Sequence, residues 1–201
     1  MSESLNQNFN HLKVHTQYSI CEGAAKIDDL QEYCKSNKIK SLGISDTSNL
    51  CGALEFAEKI SKSGTQPIIG TQINFKLNDT TGLLPLFALN ETGYKNIIEL
   101  SSNSYLENDE LSDPHVNFDE LLKSSDGVSV FSGTVLGLFG KLFDKGKFTE
   151  INEIYLKIKE VFGDRFYLEI QRHNDTNENG FEKFNLKQSV ELEIPIIATN
   201  E

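Results

Sequence analysis

The chain has 201 residues, 38% hydrophobic and 24% charged, which suits one globular domain with a sizeable core. Thirty acidic residues against 19 lysines and arginines give a formal net charge of −11, which disfavours a grip on nucleic acid by this stretch and suits protein partners. No apolar run nears the ~20 residues of a membrane span, and the polar start MSESLNQNFN lacks a secretory apolar stretch, so a cytoplasmic location with reduced Cys21, Cys34 and Cys51 is expected.

Residues 9–15 alternate like a strand. Residues 24–36 read as a helix with Ile27, Leu30, Tyr33 and Cys34 on one stripe, and 41–46 as a short strand ending in Asp46. A helix over 49–63, a strand over 66–75, a strand over 83–89 and a helix from about 93 to 105 follow. The stretch 106–117 is acidic and turn-prone. Then come a short helix over 118–124, a strand over 127–132, an amphipathic helix over 148–162, a strand over 166–170, a helix over 181–192 and a last strand over 194–199. This alternation predicts an α/β fold with a mainly parallel sheet. In such sheets ligands bind beyond the carboxyl ends of the strands. His15, Asp46, Gln72, Thr134, His173 and Glu201 all follow strands and form one candidate constellation.

The richest stretch is His11-Leu12-Lys13-Val14-His15. A strand sends alternate side chains to one face, so an H-x-H pair can aim two imidazoles at one divalent metal. Lys13 lies between the two histidines. A protonated lysine cannot ligate a metal, and its charge opposes one. Its ammonium is expected to pair with Glu22, Asp46 or Glu201 and to satisfy carboxylates that would otherwise repel each other. Milder roles are expected elsewhere. Asp46 suits a helix N-cap, Cys21 a small buried hydrophobe, His11 a support for the strand end and His115 a surface position. Gly23 and Gly43 answer to backbone needs.

The stretches HLKVHTQYSICEGAAKI, LGISDTSNLCGALEFAEK, PIIGTQINF, ALNETGYKNIIELSS, VFSGTVLG, RFYLEIQRHN and IPIIATNE occur in the order found in one family. Together they resemble the PHP (polymerase and histidinol phosphatase) domain at the N-terminus of bacterial replicative DNA polymerase III alpha subunits. The resemblance implies a distorted (β/α)7 barrel, incomplete at its C-terminus, with residues 1–201 forming the PHP part of a much longer subunit. It also implies metal-ligand positions. These fall on Lys13, His15, Glu22, Thr47, Gln72, Leu83, Thr134 and Glu201, of which only His15, Glu22 and Glu201 keep a ligand-type side chain. A vestigial metal site is therefore expected. His15, Glu22, His173 and Glu201 are the weak candidates for a residual ion, and no catalytic residue or cofactor is expected within this stretch.

Three functions compete. The first is a non-catalytic scaffold within a DNA-directed DNA polymerase. Its parent chain would use Mg²⁺ and hold DNA elsewhere, and its PHP part would dock the proofreading exonuclease (epsilon) and other replicase subunits. The second is an active metal-dependent phosphoesterase or 3′–5′ exonuclease, supported by His15, Glu22 and Glu201. The third is a free-standing histidinol-phosphate-type phosphatase, disfavoured by the polymerase-like stretches NLCGALEFAE and ETGYKNIIEL.

Overall fold

The structure is a computed structural model that describes residues 9–108 and 112–200. Its elements alternate as expected: α1 (Ile27–Asn37), β1 (Ser41–Thr47), α2 (Ala53–Lys62), β2 (Gln66–Leu77), β3 (Thr80–Ala88) and α3 (Glu91–Leu106). There follow β4 (Val116–Asn117), α4 (Phe118–Lys123), β5 (Val128–Phe131), α5 (Leu138–Asp144), α6 (Phe148–Phe162), β6 (Phe166–Ile170), α7 (Glu178–Leu192) and β7 (Ile196–Ala198). The strands form one sheet in the order β1-β2-β3-β5-β6-β7, with β4 paired to the far end of β2. Among the described residues, no helix is long and apolar enough to cross a membrane.

Three differences from expectation have local causes. Residues 9–15 do not form a regular strand. They run beside β1 through a single parallel bridge from Val14 to Ile44 and hydrogen bonds from Gly43 N to His11 O (2.7 Å) and Ser45 N to Val14 O (2.9 Å). The backbones approach so closely that a Cβ on Gly43 would stand 2.3 Å from Leu12 O. Second, β3 runs antiparallel to both β2 and β5, although the other pairings are parallel. A two-residue turn, Asn78-Asp79, reverses the chain, with Asn78 at φ 53°, a region that Asn tolerates. Third, α5 was hidden in the glycine-punctuated run GLFGKLF, where Gly140 abuts Val135 so tightly that a Cβ would meet its carbonyl oxygen at 1.9 Å.

Two apolar clusters hold the layers together. The larger packs β2, β3, β5 and β6 against α3 to α7 through Ile73, Leu86, Val130, Phe139, Tyr155 and Phe166. The smaller joins α1, β1 and α2 through Ile27, Cys34, Leu42, Ile44, Phe56 and Ile60. The two ends of the sheet approach each other. His11, beside β1, is hydrogen-bonded through Nδ1 to Asn200 Oδ1, just after β7, at 3.1 Å. The sheet therefore curls into part of a barrel, and its hollow is the site.

Candidate functional site

The hollow is a cavity of about 520 Å³ lined by His11, Lys13, His15, Glu22, Gln72, Leu83 and Thr134, among others. Six of the eight positions picked out by resemblance thus meet in one place. Thr47 joins them through Glu22, to which its hydroxyl donates at 2.6 Å. Glu201 lies outside the described residues. His173 does not join: it is exposed on the loop after β6, where its backbone N–H donates to Glu178 at 2.8 Å. Its distance along the sequence from β6 carries it past the strand end and out of the hollow.

The alternation of His11, Lys13 and His15 survives without a regular strand, because the bridge at Val14 fixes the segment's rotation. The turn after it is anchored by Asp46, at the end of β1. Asp46 Oδ1 accepts from Thr16 N (2.6 Å) and Ser19 Oγ (3.2 Å), and Oδ2 accepts from Thr16 Oγ1 (2.7 Å). Its carboxylate is spent on this turn, so the expected N-cap role at α2 does not hold. Gly23 is required by the same turn, since a Cβ there would meet Thr16 O at 2.1 Å. Cys21 sits in this turn with φ 66° and is exposed, not buried. Cys34 is the thiol that behaves as a core hydrophobe, and burial pushes it above its ordinary pKa.

Counting protons assigns the state of His15. Ser19 Oγ has one proton, and it goes to Asp46. The same oxygen accepts from Thr47 N at 2.9 Å. Its contact with His15 Nδ1 at 3.0 Å therefore requires the ring to donate, so the proton sits on Nδ1. His15 Nε2 then faces Gln72 Nε2 at 2.9 Å and accepts from it. The lone pair that a metal would need is met by an amide N–H.

Lys13 is fully buried, and its Nζ lies 3.2 Å from Glu169 Oε1, also fully buried. Of the carboxylates expected to face Lys13, Asp46 is engaged by Thr16 and Ser19, and Glu22 by Thr47. Among the described residues the carboxylate at Lys13 is Glu169, from β6, while Glu201, the third expected partner, lies outside them. Glu169 Oε1 also accepts from Gln171 Nε2 (3.1 Å) and from the Thr199 hydroxyl. Gln171 Nε2 reaches Thr199 Oγ1 as well, at 2.9 Å. The main chain of Glu169 is fixed from both sides, its N–H donating to Ser132 Oγ (2.9 Å) and its carbonyl accepting from Asn185 Nδ2 (3.2 Å). The signal for this group was Glu169 inside the otherwise apolar β6, followed at the alternate position just past the strand by Gln171.

The donor chemistry suits a divalent cation poorly. An ammonium occupies the hollow, Leu83 offers no donor, and His15 Nε2 is turned to Gln72. Among the described residues, no group of three or more His, Cys, Asp or Glu side chains is placed to hold a metal ion.

Residues 11–173 match the PHP domain family. The chain belongs to the PHP domain family. This PHP domain is 35% identical to the DNA polymerase III subunit alpha of Caulobacter vibrioides, over all of this chain and 18% of that protein. It is 36% identical to the DNA polymerase III subunit alpha of Borreliella burgdorferi, over 98% of this chain and 18% of that protein. The chain thus spans less than a fifth of the curated relatives it matches. In shape, the PHP domain is similar to an amidohydrolase from Chromobacterium violaceum solved with bound sulfate and no metal, with a TM-score of 0.60 and 10% identity over 96% of this chain and 86% of that one. It is also similar to a protein from Bifidobacterium adolescentis described as a metal-dependent phosphoesterase, with a TM-score of 0.51 and 13% identity over 94% of this chain and 86% of that one. These likenesses concern the fold alone.

Proposed function

We propose that this PHP domain is a metal-independent structural module of a bacterial replicative DNA polymerase alpha subunit. Its role is to support the polymerase polypeptide and to dock the separate proofreading exonuclease and other replicase subunits. Nucleotidyl transfer with Mg²⁺ and contact with DNA belong to the rest of such a subunit. The observation that carries this reading is the buried Lys13–Glu169 pair, an internal cation in the hollow where the family's resemblance puts metal ligands. The identity to polymerase alpha subunits and the net charge of −11 support it further.

The test is elemental analysis of the purified chain by inductively coupled plasma mass spectrometry, after exposure to Zn²⁺ and Mn²⁺ and desalting. Fewer than about 0.2 metal ions per chain are expected. One or more tightly held ions per chain would overturn the reading and favour a metal-dependent phosphoesterase. His15 and Glu22 would then be the first ligands to replace in a nuclease assay.

A further inference from the structure

Three of the four most exposed large apolar side chains among the described residues are Ile20 (84%), in the turn after His15, Leu106 (80%), at the end of α3, and Leu54 (72%), in the first turn of α2. Tyr105 adds a half-exposed ring at 54%. Side-chain hydrogen bonds of their neighbours link these three segments into one rim. Tyr105 Oη donates to Ser48 O at 2.9 Å, linking the end of α3 to the loop after β1. Asn49 Nδ2 donates to Tyr18 O at 2.9 Å, linking that loop to the turn that carries Ile20. Tyr18 Oη then donates to Glu55 Oε2 at 2.8 Å, reaching the first turn of α2 beside Leu54.

Scattered apolar side chains are ordinary on a protein surface, whereas several brought together on one rim mark a contact site. Exposed carboxylates flank two of these side chains, Glu58 one turn beyond Leu54 on α2 and Glu107 next to Leu106. Lys59, on α2, is already held by Asp28 (2.5 Å) and Glu55 (2.8 Å). A second copy of the same acidic chain would meet repulsion here, and so would nucleic acid.

We infer that this rim docks a segment of a partner protein whose apolar side chains are flanked by lysine or arginine. Ile20, Leu54, Tyr105 and Leu106 supply the apolar contact, and Glu58 and Glu107 meet the flanking charge. The inference rests on the proposed docking role and specifies its surface and chemistry.

The test uses fluorescence anisotropy with the whole chain and three labelled helical peptides. One carries leucine and lysine at helical spacing, one leucine and glutamate, and one lysine with serine in place of leucine. The wild-type chain is expected to bind the first and neither of the others. The double change Leu54→Ser with Leu106→Ser, which leaves all charges in place, is expected to weaken binding at least about tenfold. A circular dichroism melt confirms that the variant folds. Equal binding by wild type and variant would overturn the inference, as would equal binding of the glutamate or leucine-free peptide, or no binding by the wild type. A dimer in size-exclusion chromatography that the double change abolishes would assign the rim to a second copy and also overturn it. Metal content is measured separately, so an ion in the hollow would sink the metal-independent reading without deciding this one.

Discussion

Two interiors coexist in this chain. Around Ile73, Leu86 and Phe139 the packing is mainly apolar. A short distance away along the same sheet, Lys13, Glu169, Gln171 and Thr199 form a buried polar knot. The first is held by area removed from water, which is non-directional and tolerant of substitution at constant volume. The second exists only while each charge has its partner, because a lone buried charge costs far more than an ill-fitting methyl group. One fold therefore carries a forgiving core and an exacting one, and the exacting one sits where chemistry would be expected.

The sharpest way to break the comparison is Lys13→Ala, which strands Glu169 in the interior. It should cost about 3 kcal/mol in urea unfolding, and a loss below ~0.5 kcal/mol, as for a surface lysine, would mean the pair is not a structural element. Replacing both partners at once, Lys13→Met with Glu169→Leu, should recover most of that loss, because neither charge is left alone. A double variant as unstable as the single one would show that the hydrogen bonds of Gln171 and Thr199 matter more than the pair. On the forgiving side, Leu86→Met should cost less than about 1.5 kcal/mol. A larger thermal shift than that implies would erase the contrast between the interiors.

The smallest effect is expected at the surface, where Tyr18, Glu55 and Lys59 tie the turn after His15 to α2. Hydrogen bonds from Lys59 and then Tyr18 hold the Glu55 carboxyl below its ordinary pKa of 4.5. A carboxyl depressed in the folded chain stabilises it fully above that ordinary value and loses the contribution as pH falls through the depressed one. Protection of the amides of residues 16–23, taken relative to the intrinsic exchange rate at each pH, should therefore fall below pH ~4, and Glu55→Gln should remove that pH dependence. Unchanged protection in both chains would mean that Asp46 alone holds the turn.

Most of the fold could be read from periodicity, because strands such as 41–47 and helices such as 148–162 have a single apolar stripe or run. The antiparallel β3 could not, since a two-residue Asn-Asp turn looks like the middle of a longer loop when the strand beyond it contains Gly82 and Pro85. At the site, alternation sufficed to gather His11, Lys13 and His15 on one side. The role of Glu169 beside Lys13 was not legible. Glu22 and Asp46 are near it in sequence, yet Thr47 and Thr16 claim them first, and the carboxylate that arrives comes from a strand on the far side of the sheet order.

That distance along the chain bears on synthesis at the ribosome. Lys13 and Glu169 are 156 residues apart (169 − 13), and the His11–Asn200 contact spans 189. At roughly 5–20 residues per second, Lys13 emerges roughly 8–30 s before its counter-charge is made. During that interval the β2–β3 hairpin, a local pairing, can already form, while the first segment has no reason to settle against β1 with its lysine inward. The ring therefore closes late, and the nascent N-terminal segment is the part of this domain most open to chaperones and to early partners.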